Sequence, residues 1–281
     1  MAHNNPQRSQ NRVPLGKASA QEQTSRTRSV ASFHDQLAKT FDPDIDGYFP
    51  LWLELDVLRR HCRPTDRVCD IGCANGSFAI RLAPHVASVT GVDVSYLMLK
   101  EAKRRVGSSN LEVTRASGIQ LPFADASYDV SFSYSTLLYF NQPLDAIREM
   151  VRIVKSKGVV IVEIRNRYSL STHHWDVWQK QHGNVGVSAM TWSGVRSGLS
   201  SLGLRIQEAY AFGAGDQTQF VPVLRNIVGH DFMHASKPPK PDLDYRLSNL
   251  PLFFRVAHAW VIVTIKQAEP KQPPNSLPCS N

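Results

Sequence analysis

The run Val68-Cys-Asp-Ile-Gly-Cys-Ala-Asn-Gly-Ser-Phe78 concentrates the residues of this chain best suited to gripping a polar ligand. A glycine-rich turn after a strand lets a ligand approach the backbone and leaves helix N–H groups facing it. Two nucleotide-type ligands use this device. A dinucleotide fingerprint needs glycines at 72, 74 and 77, where the chain has Gly72, Ala74 and Ser77. The other spacing is an acid followed by glycines at every second position. Asp70, Gly72 and Gly76 meet it, with Ala74 in the middle place. Asp93 follows Gly76 by seventeen residues, and a carboxylate there can accept both hydroxyl protons of a ribose.

These residues need a scaffold that brings two turns together, and the apolar pattern supplies one. Strands are expected at Arg67–Ile71, Ala87–Val92, Leu111–Thr114, Tyr128–Phe132, Val159–Ile164, Leu204–Tyr210 and Val256–Lys266. Helices are expected at Phe49–His61, Ser77–Ala83, Ser95–Arg105, Pro143–Val154 and Trp192–Leu202. In Pro143–Val154, Leu144, Ile147, Met150, Val151 and Val154 recur at helical spacing, with Arg148 and Arg152 opposite. Strand and helix alternate, which predicts an α/β fold with a doubly wound, mostly parallel seven-stranded sheet. Asn166–Met190 and Ala211–Phe254 break the rhythm and read as helical cap inserts.

With these elements in order, the chain resembles the class I S-adenosylmethionine-dependent methyltransferases. The likeness is greatest to the small-molecule type, which includes quinone, sterol and secondary-metabolite enzymes. Beyond the glycine loop and Asp93, it is carried by Gln120-Leu-Pro-Phe123, Ser127-Tyr-Asp-Val130 and the stretch Leu144–Gly158. It covers about residues 45–266 and weakens after Ile164. The resemblance implies a Rossmann-like methyltransferase fold, S-adenosyl-L-methionine as cofactor, and methyl transfer to O, N or C of a small acceptor.

It further implies that Gly72, Ala74 and Gly76 cradle the methionine part, supported by Asp70. Asp93 would bind the ribose, and Val94, Tyr96 and Met98 would flank the adenine. Ser117 and Gly118 would meet the adenine edge, and Ser133 and Tyr134 would close the site beside the methyl group. Three positions depart from the family pattern: Ala74 for the middle glycine, Ser117 for an acid, and Ser156-Lys157 for Pro-Gly before Gly158.

In-line displacement at a sulfonium needs no acid for the leaving thioether. A base is needed only if the acceptor must lose a proton. His173 and Tyr139 are the first candidates, and His230 and His234 flank Asp231 in the second insert. Tyr134, Tyr139, Phe140, Trp175 and Trp178 could wall an aromatic or apolar acceptor, or could be ordinary core. No metal is expected, since His230-x-x-x-His234 has no evident third ligand.

Other readings remain at this stage. A nicotinamide-dependent oxidoreductase uses the same sheet, but positions 74 and 77 argue against it. A nucleic-acid methyltransferase suits the net charge of +8, but Ser133-Tyr-Ser-Thr-Leu137 lacks the Pro-Pro-aromatic turn of base-modifying relatives. A cofactor-binding scaffold without catalysis is the third.

Half of the +8 lies in residues 1–30, where Arg8, Arg12, Lys17, Arg26 and Arg28 face Glu22 alone. This segment is expected to be a disordered basic tail, dispensable for methyl transfer. Residues 31–266 are expected to form the methyltransferase domain, with 267–281 a proline-rich tail. No run reaches the roughly 20 apolar residues of a membrane span, and no apolar signal core opens the chain. With four cysteines, Cys62, Cys69, Cys73 and Cys279, and no C-x-x-C, a reducing, cytoplasmic setting is the simplest expectation. A transit peptide is the alternative.

Overall fold

The computed structural model describes residues 20–43, 45–107, 110–215 and 237–268. Its strands are β1 (Arg67–Ile71), β2 (Ser88–Asp93), β3 (Leu111–Arg115), β4 (Tyr128–Ser133), β5 (Val154–Arg165), β6 (Leu204–Phe212) and β7 (Ala259–Lys266). They form one seven-stranded sheet in the order β3-β2-β1-β4-β5-β7-β6. The first five are mutually parallel, and β7 runs antiparallel to both neighbours. The expected doubly wound α/β sheet is therefore present.

Alternation decides which side each residue serves. On β7, Trp260 and Ile262 enter one hydrophobic cluster while Val261 and Val263 enter the other. Helices cover both faces, which is why these strands are apolar on both sides. On one face lie α5 (Pro143–Ile153) and α7 (Trp192–Ser201), which contribute Ile147, Met150, Val195 and Leu199. On the other lie α2 (Phe49–His61) and α3 (Ser77–Leu82), with Leu53, Leu58 and Leu82. The helix α4 (Tyr96–Arg105) follows β2.

The outward face of α5 also works. Arg152 donates to the Phe123 and Leu121 carbonyls at 2.7 and 3.0 Å, fixing the segment between β3 and β4.

Chain order reverses between β1 and β4, which sit side by side. A crevice opens at such a switch point, beyond the carboxyl ends of the strands. The turn after β1 and the segment after β4 are thereby its two walls.

Several expected boundaries change. Residues 20–30, expected to be disordered, form the first part of α1 (Ala20–Leu37). This helix is polar in composition but anchored. Arg26 Nε donates to the Tyr139 carbonyl at 2.5 Å, and its Nη2 donates to that of Gly186. Asp35 accepts from Ser95 Oγ at 2.5 Å and from the Leu97 N–H at 2.9 Å. Val154 opens β5 instead of closing α5, and β7 begins at Ala259 instead of Val256.

The first insert contains α6 (Leu170–Gln181), and the second includes α8 (Leu243–Ser248) and α9 (Pro251–Phe254). His230, His234 and Cys279 lie outside the described residues. Among the described residues, no helix is long and apolar enough to cross a membrane.

Candidate active site

A cavity of 340 Å³ occupies the β1/β4 crevice. The glycine loop forms its floor. Gly72 and Gly76 hold φ of 81° and 77°, which a side chain would strain. A Cβ on Gly72 would fall 2.0 Å from Thr136 Oγ1, so the two walls meet there. Ala74 also takes a left-handed φ of 47°, the strained arrangement its methyl group resists.

Asp93 holds that strained turn in place. One carboxylate oxygen accepts the Ala74 N–H at 2.9 Å and the other the Ser95 N–H at 2.8 Å. Burial pushes the Asp93 carboxyl up, while the Ser95 N–H and the field of His34 oppose it. Asp70 lies just behind, 3% exposed, and is pushed well up by burial and by Asp93. Each Asp93 oxygen retains lone-pair capacity, so the carboxylate can still receive two hydroxyls.

Of the residues singled out from sequence, Gly72, Ala74, Asp93, Val94, Ser117, Gly118, Tyr134 and Tyr139 line this one cavity. Ser117 Oγ is buried without a hydrogen-bond partner among the described residues. It is flanked by Ile71, Val92, Ala116 and Phe140. An apolar slot with one orphaned hydroxyl suits the edge of a heteroaromatic base.

Other candidates sit elsewhere. Gly76 caps α3, and Asp70 is buried outside the cavity lining. Met98 is fully buried, and Tyr96 is 57% exposed on the outside. Ser133 is buried and donates to the Ile71 carbonyl at 2.9 Å, tying β4 to β1 instead of facing the methyl group. The apolar thiols of Cys69 and Cys73 are pushed well up by burial.

His173 requires correction. It lines a different cleft, with Asn141, Arg167 and Asp176. Trp175, two positions on, does line the cavity. Residues two apart on a helix point to opposite sides, so the two could not share one site. Tyr139 does reach the cavity, and burial raises its phenol. It stands as a wall of the cavity. Its hydroxyl accepts from Gln179 Nε2 at 3.4 Å.

Sequence reasoning missed the roof. Gln23, Thr27, Val30 and His34 of α1 line the cavity. The His34 ring meets Tyr139 edge to face at 5.0 Å. It also missed Ser135 and Arg165, which line the side opposite the glycine loop.

Residues 69–162 match the profile of a family described as a methyltransferase domain. Demethylmenaquinone methyltransferase of Corynebacterium kroppenstedtii is 29% identical over 141 residues, 49% of this chain and 60% of that one. The 27-O-demethylrifamycin SV methyltransferase of Amycolatopsis mediterranei is 32% identical over 101 residues, 34% of this chain and 37% of that one. The chain thus spans about half the length of the curated relatives it matches.

Among solved structures, YcgJ of Bacillus subtilis has a TM-score of 0.54 at 19% identity, covering 78% of this chain and all of that one. The [4+2]-cyclase SpnF has a TM-score of 0.60 at 17% identity, covering 86% and 97%. The matched segment runs from β1 into β5 and so includes both walls of the cavity, and over that segment the chain is similar to methyltransferase domains, on a fold shared with S-adenosylmethionine-dependent methyltransferases.

Proposed function

We propose that this protein moves a methyl group from S-adenosylmethionine to a small acceptor with a flat or apolar body. The observation that carries this reading is the single cavity joining the Asp93 carboxylate and the glycine loop to an aromatic wall. When bound, S-adenosylmethionine would supply an electrophilic methyl on a sulfonium.

The chain's own residues would bind, align and exclude water. Asp93 would receive the ribose hydroxyls, Ser117 the base edge, and the Gly72–Gly76 turn the amino-acid end. Tyr134, Tyr139, Phe140 and Trp175 would hold the acceptor, and aromatic faces also favour a nearby sulfonium. α1 would close the site against water, a major source of rate in such a displacement. We read residues 31–266, with α1 added, as one catalytic domain, and α6 as part of its cap.

Titration calorimetry with S-adenosylhomocysteine and with NAD tests the cofactor. Binding of NAD alone would sink the reading. Likeness to a cyclase shows fold only, so transfer itself must be measured. Labelled methyl groups from S-adenosylmethionine should enter a small molecule of a cell extract, identified by mass spectrometry. Label entering only nucleic acid or protein would reject the small-molecule acceptor.

A further inference from the structure

Opposite the glycine loop, a polar cluster reaches the cavity through two side chains. Ser135 follows β4 with a φ of 48°, a strained backbone for a residue with a side chain. Both its N–H and its Oγ are aimed at Glu163 Oε2, at 2.5 and 2.8 Å. Glu163 is 3% exposed, and its other oxygen pairs with Arg165 Nη2 at 3.3 Å.

Arg165 is held from behind. His258 accepts from its Nη1, which requires the His258 proton to sit on Nδ1, where Ser171 Oγ accepts it at 2.6 Å. Arg165 Nη2 also reaches Ser135 Oγ at 3.5 Å. Its Nε is buried with no hydrogen-bond partner among the described residues. Ser135 and Arg165 line the cavity, while Glu163 stands one step behind. A strained serine, a buried carboxylate and an incompletely paired guanidinium make a costly arrangement for packing alone.

We propose, on the methyl-transfer reading above, that this cluster selects an acceptor with an acidic hydroxyl, phenolic or enolic. Ser135 touches that hydroxyl and relays its proton to Glu163. Arg165 faces the oxygen as charge develops on it. The acceptor oxygen forms the new O–C bond as the S–C bond breaks, and the sulfur keeps that electron pair as a thioether. The hydroxyl proton passes to Ser135 Oγ, whose own proton passes to Glu163 Oε2.

Ser135 and Arg165 would be catalytic residues, and Glu163 a positioning residue acting through Ser135. Glu54 from α2 faces Glu163, and burial and that neighbouring carboxylate push the Glu54 carboxyl well up. Tyr134 and Tyr139 also face this cluster, with phenols raised by burial, and Asp93 lines the same cavity, with Asp70 buried behind it.

The first test uses p-nitrophenol, whose ionised form is coloured, on the full chain saturated with S-adenosylhomocysteine. The bound probe should ionise about one pH unit below its value in buffer, the effect of an adjacent cation. Ser135→Ala and Arg165→Met should each reduce that shift. A probe that binds unshifted, a shift that survives both variants, or no binding while S-adenosylhomocysteine binds normally overturns the proposal. Failure of S-adenosylhomocysteine itself to bind overturns the cofactor reading instead.

The second test is methyl transfer to a panel of phenols with matched anilines. Label should appear in methyl ethers. Glu163→Gln keeps a hydrogen-bond acceptor for Ser135 but takes no proton, so kcat should fall about 100-fold with KM nearly unchanged. Glu163→Asp should recover part of the rate. Label in anilines alone, label in neither series, or full kcat in Glu163→Gln overturns the relay. If Glu163→Gln melts before assay, Ser135→Ala carries the same kcat comparison.

Discussion

Asp93→Asn is the most informative single change, because the carboxylate serves two tasks that the substitution separates. Its oxygens accept the Ala74 and Ser95 N–H groups at 2.9 and 2.8 Å. Asparagine keeps one acceptor oxygen, and its amide must face one of those N–H donors. One charged hydrogen bond is therefore lost before any ligand arrives, at a cost of about 1.5–3 kcal/mol. Relief of the buried charge, and of its repulsion of Asp70, offsets part of this. A net loss of about 1–2 kcal/mol lowers the melting temperature by roughly 3–6 °C in a domain of this size.

The ligand should feel a second loss, because one ribose hydroxyl would face an amide instead of a carboxylate. S-adenosylhomocysteine affinity should fall by about 10- to 100-fold, corresponding to about 1.4–2.8 kcal/mol. Melting curves without ligand, and calorimetry with it, read the two effects separately. An unchanged ligand-free melting temperature would refute the claim that Asp93 holds the Ala74 turn. Unchanged affinity would refute its role at the ribose.

Other outcomes follow from the same geometry. Removing residues 1–37 should expose the cavity and weaken S-adenosylhomocysteine binding, and equal affinity in a folded truncation would show that α1 is not its roof. Arg26→Ala loses two donors to backbone carbonyls, so ligand release should quicken about 10-fold, and an unchanged off-rate would rule out that latch. Gly72→Ala places a methyl group on Thr136 at a φ of 81° and should destabilise by about 2 kcal/mol or more; a double variant with Thr136→Ala should recover only the steric part. Asp70 has a raised folded pKa, so its contribution to stability is full below the ordinary carboxylate value and is lost as pH rises through the raised value. Asp70→Asn lacks that loss and should gain on the wild type in urea melts from about pH 4 to pH 8, whereas a constant difference would contradict the assignment.

The sheet and the glycine-loop wall were legible because their signals are local. A strand buried on both faces must be an apolar run, and a turn with left-handed residues favours glycine, so Val68–Gly76 announces itself. The opposite wall has no such signature. Ser135, Glu163 and Arg165 meet only because β4 pairs with β5 in the register Ser133↔Val162. That pairing brings together residues 28 positions apart, and each reads alone as an ordinary polar residue. His173 was a different failure. Its neighbourhood was right, but helical geometry sends it away from the face that Trp175 presents.

The N-terminal segment shows how composition misleads when a helix carries few apolar residues. Its polar, basic content suggested a tail carrying surplus charge. Yet Val30, Phe33 and Leu37 recur at helical spacing, and that stripe was the available signal. Arg26, counted as surplus, is desolvated enough to have its pKa lowered and donates to two backbone carbonyls. One of those carbonyls belongs to Tyr139, a cavity wall, and the other to Gly186 in the first insert. A cation that looked like a solubility feature therefore joins three separate stretches of chain around the cavity. Neutralising it with Arg26→Met, which keeps much of the side-chain length, should raise hydrogen exchange across α1 while leaving β1 and β4 protected. Exchange rising equally throughout the sheet would mean that Arg26 supports the whole fold instead of closing this site.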